Sequence, residues 1–186
     1  MQYLSKYQII IAAENIFSDF TKACEAIDES LFFKRIAEDK WSIAENIQHL
    51  IISTNTTTLA YTLPAFIVRW VGGMPNRDSR SYEALVEKYK EKLAAGGKAS
   101  GRFVPKPITI KYGKQRLIEN WQKASAKFIK ALKNKTGESK LDDYLARHPL
   151  LGRITLRELC YFTIYHTEHH LNIINNILDT KHPKPL

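Results

Sequence analysis

The strongest constraint on the fold is a helical repeat of apolar residues that recurs in four long segments of the chain. Apolar residues three and four positions apart share one face of an α-helix, and such a face has to be buried. The segments lie at about residues 3–27, 42–63, 114–134 and 155–178. The pattern predicts an all-α fold, specifically a four-helix bundle.

Residue-specific signals mark the ends of two of these helices. Ser42 with Glu45, and Thr155 with Glu158, have the three-residue spacing of a capping box. Pro64 is expected to end the second helix, because proline cannot continue the backbone hydrogen bonding. The second helix is apolar nearly all round, which predicts a central and well-buried position.

A long crossover, residues 73–113, separates the second and third helices. It is predicted to carry a short extra helix at about 80–95, followed by the Gly- and Pro-rich stretch GGKASGRFVPKP at 96–107. A connection of this length suits a bundle with one crossover, and long loops often wall a functional site. We expect one domain over residues 1–186, a length that can bury a sizeable core.

The chain carries a net charge of +9, from 28 Lys and Arg against 19 Asp and Glu. Such an excess permits binding to nucleic acid, anionic lipid or an acidic small molecule. The cations of the third helix, however, lie opposite its apolar face, which is typical of a solvated surface. No aromatic residues alternate with them and no nucleic-acid-reading motif is found, so nucleic acid is not expected as a partner. These cations are Arg116, Lys123, Lys127 and Lys130.

The sequence predicts neither a membrane span nor a disulfide framework. The most apolar stretch, residues 59–73, is interrupted by Pro64 and Arg69 and falls short of the ~20 residues that cross a bilayer. Cys24 and Cys160 lie far apart and form no CxxC motif. We therefore expect reduced thiols, no membrane association and a cytoplasmic location.

Three of the six histidines fall within five positions of the last helix, in the segment FTIYHTEHHLNII. With about 100° of turn per residue, His166 and His170 lie about 40° apart in the middle of the apolar stripe. Burying two imidazoles without partners is costly, and one shared divalent ion would remove that cost. His49, in the middle of the buried second helix, is the candidate third ligand. Ser53 and Thr56 share its face, and such a polar strip suggests a lined cavity.

Each of these residues also has an ordinary structural interpretation. A single histidine in a helix is commonly a hydrogen-bonded core or edge residue, and HxxxH pairs occur by chance on surface helices. His169 points to the edge of the apolar stripe and is not expected to be a ligand. Glu45, one turn before His49, could orient a ligand or act as a base, but its capping-box spacing already explains it.

With these residues placed on their helices, the sequence resembles the DinB/YfiT-like superfamily. WSIAENIQHL is similar to the family's Trp-Ser start of the second helix, which ends in a His-Leu pair. HPLLGRITLRELCYFTIYHTEHH resembles its His-Pro, Gly and Thr-x-x-Glu entry to the last helix, followed by His-x-x-x-His, and SGRFVPKP resembles its crossover. The resemblance implies a four-helix bundle, a homodimer and a mononuclear metal site at His49, His166 and His170. Nickel, zinc, manganese and iron are all compatible with such a site.

Three neutral imidazoles leave the charge of a divalent ion uncompensated and leave positions open for water or substrate. Such an ion can acidify a bound thiol or water. The resemblance implies a small-molecule S-transferase that uses a low-molecular-weight thiol such as bacillithiol, mycothiol or glutathione. Two alternatives stay open: a metal-dependent hydrolase at the same site, and a non-enzymatic stress-response or binding protein whose metal is structural or vestigial.

Overall fold

The computed structural model describes residues 3–135 and 137–181 of the chain. His182, expected in an exposed polar tail, lies outside the described residues. The helices are α1 (Lys6–Glu25), α2 (Glu29–Phe32), α3 (Ile43–Thr62), α4 (Ala65–Gly72), α5 (Tyr82–Ala94), α6 (Lys114–Asn134) and α7 (Leu156–Lys181), and the strands are β1 (Leu145–His148) and β2 (Gly152–Thr155).

The four long helices α1, α3, α6 and α7 form a bundle, which confirms the predicted fold class. Both α6 and α7 pack against α1 and against α3, so α1 lies diagonally opposite α3, and α6 lies diagonally opposite α7. The Trp121 ring sits edge-on to Phe17 and Phe20, with ring centroids 5.3 and 5.1 Å away. Tyr61 donates its hydroxyl hydrogen to the Leu156 carbonyl oxygen at 2.6 Å, which joins the end of α3 to the start of α7.

Both predicted capping boxes are formed. The Ser42 backbone N–H donates to a Glu45 carboxylate oxygen at 2.8 Å, and the Thr155 N–H donates to Glu158 at 2.9 Å. The reciprocal bonds, from the Glu45 and Glu158 N–H groups to the hydroxyl oxygens, are both 3.2 Å. These caps set the start of α3 and of α7, the two helices that carry the histidine residues of the candidate site.

The sequence analysis missed several short elements. β1 and β2 pair as an antiparallel hairpin in which His148 lies opposite Gly152, and neither strand was predicted. α4 begins directly after Pro64, within the apolar run, and α2 has only four residues. Elements this short contain too few residues to show a helical or strand period, so no repeat could reveal them.

The crossover supports one side of the bundle. The predicted extra helix is present as α5 and packs against α7, while the 3₁₀ turn at Gly101–Phe103 packs against α3. α4 packs against β1, where a Cβ atom on Gly72 would collide with the Leu145 carbonyl group.

Within the described ranges, no helix is both long and apolar enough to cross a bilayer.

A fully buried carboxylate fastens the crossover to α7. The Glu158 carboxylate accepts hydrogen bonds from the Arg77 and Arg80 guanidinium groups and from the Arg80 and Thr155 backbone N–H groups, at 2.8 to 2.9 Å. Burial by itself would raise the pKa of the Glu158 carboxyl, but the hydrogen bonds from Arg77, Arg80 and Thr155 bring it below its usual value. The Glu158 carboxylate is therefore charged inside the fold, and its charged state depends on these hydrogen-bond donors.

We expect Glu158→Ala to lower the free energy of unfolding by about 3 kcal/mol, because it leaves two arginines facing a buried gap. This value is at the lower end of the range for a broken buried ion pair, because the Arg77 and Arg80 side chains are partly exposed to solvent, at 33% and 26%. Urea denaturation measures the loss. Because the folded pKa is lowered, the stabilisation is present above the usual carboxyl pKa and disappears as the pH falls through the folded value.

Glu119→Ala, on the exposed face of α6, is the matched control and should change the free energy of unfolding by no more than about 0.5 kcal/mol. Equal losses in the two variants would show that the Glu158 contacts do not stabilise the fold.

Candidate metal centre

His49 on α3 and His166 and His170 on α7 meet at one point inside the bundle. The Nε2 atom of His166 lies 3.1 Å from the Nε2 of His49 and 3.1 Å from the Nε2 of His170. All three side chains are buried, and their ligand atoms lie within 4.8 Å of one another. The structure therefore brings together the three histidines that the sequence singled out.

In His49 and His170, the ring nitrogen farther from His166, Nδ1, lies against an oxygen that can only accept a hydrogen bond. The His49 Nδ1 atom lies 2.7 Å from the Phe103 carbonyl oxygen, and the His170 Nδ1 atom lies 2.7 Å from Asn46 Oδ1. The Asn46 amide is oriented by its NH₂ group, which donates to the Ser42 carbonyl oxygen at 2.8 Å. Because these acceptors require a proton on Nδ1, the neutral forms of His49 and His170 present a lone pair at Nε2.

His166 cannot donate a hydrogen bond to the Nε2 lone pairs of both His49 and His170. Its Nδ1 atom lies 3.4 Å from the Ser53 hydroxyl oxygen, and its Nε2 atom faces both other imidazoles. A neutral His166 can carry at most one proton at Nε2, so it can donate to only one of the two neighbours. One buried acceptor is then left without a donor, and a cation at the meeting point would remove this deficit.

Burial keeps the three imidazoles neutral. It lowers the pKa of His49 and brings the pKa values of His166 and His170 well below the usual value of 6.5. Repulsion between the neighbouring imidazolium forms adds to this effect for His166 and His170. Neutral imidazole is the form that binds a metal ion, so the site is ready for one at neutral pH.

The spacing fits a single divalent transition-metal ion. Ligands about 2.1 Å from an ion are about 3.4 Å apart in a tetrahedron and about 3.0 Å apart on adjacent octahedral positions. The two nitrogen separations of 3.1 Å lie within this range. Imidazole donors suit zinc, nickel and iron, and the geometry does not choose among them.

Glu45 lies outside this meeting point. Its carboxylate accepts from the Ser42 N–H group and from the Arg35 guanidinium at 2.9 Å, and it is not among the residues that line the histidine cavity. Burial opposes ionisation, but the bonds from Arg35 and Ser42 leave the pKa of Glu45 lower than usual. The capping interpretation accounts for these contacts, whereas a catalytic role for Glu45 stays a prediction without support from them.

A cavity of about 1070 Å³ adjoins the histidines. The Trp41 ring lies 5.0 Å from the His49 ring and stacks over His170 at 6.4 Å, and Phe162 stacks on His166 at 4.7 Å. Phe103, on the crossover, also lines the cavity. The crossover was expected to wall the site, and this part of it does so.

The remaining described histidines lie beside the cluster rather than in it. His169 is half-buried, lines the cavity and has its ring centroid 5.3 Å from that of His170. His148 accepts the Leu150 and Leu151 N–H groups at its Nδ1 atom, at 3.2 and 3.1 Å, and burial lowers its pKa to about 4. His148 therefore fixes the hairpin turn and adds a neutral imidazole to the cavity wall.

With the geometry described, comparisons with known proteins place the chain in a family. The family model of the DinB superfamily matches residues 13–174. The chain belongs to the DinB superfamily. The YfiT protein of Bacillus subtilis, described as a probable metal-dependent hydrolase with an unusual four-helix bundle topology, has a similar structure with a TM-score of 0.59 and 16% sequence identity. The match covers 97% of this chain and 91% of YfiT. No curated protein shows significant sequence similarity to the chain.

A second similar structure corrects the expected set of partners. The colibactin self-resistance protein ClbS, solved in complex with a double-stranded DNA, matches with a TM-score of 0.54 and 13% identity, over 94% of this chain and 96% of ClbS. The expectation that excluded nucleic acid is therefore wrong. It rested on the charge pattern of one helix and on missing motifs, and ClbS shows that a protein of this fold can be found with DNA.

Sequence reasoning missed the residues that orient the histidines. Asn46 precedes His49 by three positions and faces His170, a partner on another helix that no local pattern reveals. Phe103 contributes only its carbonyl oxygen, which carries no residue-specific signal. Ser53 was noticed as part of a polar strip, and its hydroxyl group does face His166.

We expect Asn46→Ala to weaken zinc binding by about 10- to 100-fold, because His170 loses the acceptor that fixes its ring and its proton. Competition with a chromophoric chelator measures the affinity. Ser125→Ala is the control. It removes a buried polar side chain on a different helix, α6, and should leave zinc affinity unchanged. An unaltered affinity in the Asn46 variant would show that the ring of His170 is oriented by packing alone.

Proposed function

We propose that this DinB-superfamily protein is a metal-dependent enzyme that binds one divalent ion at the Nε2 atoms of His49, His166 and His170. The observation that carries the proposal is the convergence of three neutral imidazoles with one unsatisfied acceptor, beside a large cavity. A divalent ion in such a site supplies Lewis acidity, which lowers the pKa of a thiol or a water that joins it.

The protein's own residues would orient the site and control access to it. Asn46 and the Phe103 carbonyl group hold the rings of His170 and His49 so that their lone pairs face inward. Trp41 and Phe162 cover the imidazole faces and exclude water from them. Because the three imidazoles are neutral, the charge of a bound divalent ion would stay uncompensated and would favour an anionic reactant.

The reaction we propose is transfer to the sulfur of a low-molecular-weight thiol. The thiol loses its proton to solvent, its sulfur forms a bond to an electrophilic carbon, and the leaving group departs with the electron pair of the bond that breaks. Cys24 and Cys160 are both buried, and burial raises the pKa of each thiol to about 12. Neither cysteine therefore supplies the reacting thiol. A separate thiol would have to enter through the cavity.

Hydrolysis is the second candidate, and the similarity to YfiT favours it. The same geometry would serve either reaction, because water and thiol compete for the same coordination positions. A structural or vestigial metal is the non-enzymatic alternative. Structural zinc sites usually have four protein ligands, whereas only three metal-binding side chains meet among the residues described here.

We expect His166→Ala to remove most of the bound metal and all metal-dependent activity while leaving the melting temperature nearly unchanged. The variant removes the central member of the cluster, but α7 keeps Leu159 and Ile177 against the core. A bundle of this size does not need a metal to fold. Metal content per chain, melting temperature and consumption of thiol with an alkyl halide are measured together.

His169→Ala is the matched control, because His169 is the neighbour of His170 on α7 and lies outside the cluster. It should keep the bound metal, whereas His166→Ala should lose it. Hydrolysis of ester substrates without thiol consumption would support the second candidate instead. Unfolding of the His166 variant together with loss of metal would favour a structural metal.

A further inference from the structure

The cavity beside the histidines changes from polar to apolar along α3. Its lining residues on this helix are polar from Asn46 to Thr57 and apolar from Leu59 to Leu63. With a rise of 1.5 Å per residue, His49 and Leu63 are separated by about 21 Å along the helix axis. The cavity therefore has a polar end at the histidines and an apolar end about four helical turns away.

Other elements continue the apolar end. α7 runs antiparallel to α3, since Asn46 contacts His170 and Tyr61 contacts Leu156. The N-terminal half of α7 therefore faces the apolar part of α3, and α4 closes the same end. The side chains that α7 and α4 add to this part of the lining are Leu159, Ile67, Val68 and Val71.

Water reaches this apolar end. Leu59, Leu63 and Val71 all line the cavity, and their side chains remain 47%, 37% and 44% exposed to solvent. Apolar side chains grouped around an open cavity mark a binding surface, because their contact with water is unfavourable until a ligand covers them. The ligand that covers them must itself be apolar over this length.

The charged residues of the lining are mostly cations. Four basic side chains line the cavity, and Asp39 is the single carboxylate among the lining residues described. Lys40 and Arg102 are next in sequence to Trp41 and Phe103, which contact His49, so these two cations belong to the histidine end. Asp39 lies 3.8 Å from the Lys40 Nζ atom and partly offsets its charge, so Arg102 is the main cation at this end. The other two are Lys98 and Arg147.

We propose that the cavity binds a long-chain amphipathic anion, with the anionic group at the histidine end and the apolar chain extended along α3 towards α4. The position of the anionic group rests on the metal site of the proposed function, whereas the apolar subsite does not. The ligand class follows from the order of the lining: the histidines with Lys40 and Arg102 at one end, and the aliphatic side chains of α3, α4 and α7 at the other.

Calorimetric titration with alkyl carboxylates of six, eight, ten and twelve carbons, below their aggregation concentrations, tests the proposal. Both metal-free and zinc-loaded full-length protein are used. We expect the affinity of metal-free protein to rise about fourfold for each added methylene, as expected for burial of the chain. Dodecyltrimethylammonium, which has the same chain and the opposite charge, should bind at least about tenfold more weakly.

Leu59→Glu places a charge at the start of the apolar end, about 15 Å from His49 along α3, and should weaken dodecanoate binding by about tenfold or more while changing hexanoate binding little. Ile11→Glu is the matched control, because Ile11 on α1 has a similar exposure, 38% against 47% for Leu59, and does not line the cavity. Circular dichroism checks that both variants fold.

Affinity that does not depend on chain length, equal losses in the two variants, or equal binding of the cationic amphiphile would each overturn the inference. Chain-length dependence without any metal-dependent turnover would contradict the proposed function and leave this inference standing. Turnover with small substrates, without chain-length dependence, would do the reverse.

Discussion

The burial of three imidazoles between α3 and α7 is the constraint on which the candidate site depends. A buried imidazole has two nitrogens, and each needs a partner. For His49 and His170 the outer nitrogen is held by a fixed acceptor, so the inner nitrogen must be a lone pair. His166 then faces two acceptors at once. The fold thus creates a position at which no arrangement of protons on the neutral rings satisfies every imidazole nitrogen, whereas a bound cation would do so.

The scaffold holds this position by fixing how α3 and α7 are aligned. Each of these helices begins at a capping box, and the Tyr61 hydroxyl joins the end of one to the start of the other. The Glu158 carboxylate ties the start of α7 to the crossover. Because the alignment is antiparallel, it places the polar half of α3 beside the histidines and its apolar half beside the N-terminal half of α7, which gives the cavity its two ends.

Much of the fold was accessible from the sequence because long helices repeat their pattern many times. α6 has the bounds that its apolar period predicted, and α3 ends just before Pro64 as expected. The hairpin and α4 were missed, since four to eight residues show too little periodicity. The exclusion of nucleic acid failed for a different reason: the charge pattern of one helix and the lack of a known motif do not exclude DNA from a fold that ClbS shares.

The sequence by itself determined the four long helices, the capping boxes of α3 and α7, and the placement of His166 and His170 on one buried face, because these properties depend only on residues a few positions apart. Tertiary structure alone decided that His49 meets that pair, that Asn46 and the Phe103 carbonyl group hold the outer nitrogens, and that the cavity has an apolar end. These contacts join residues separated by 54 to 124 positions. They depend on how whole helices are aligned, and a local period carries no information about that alignment.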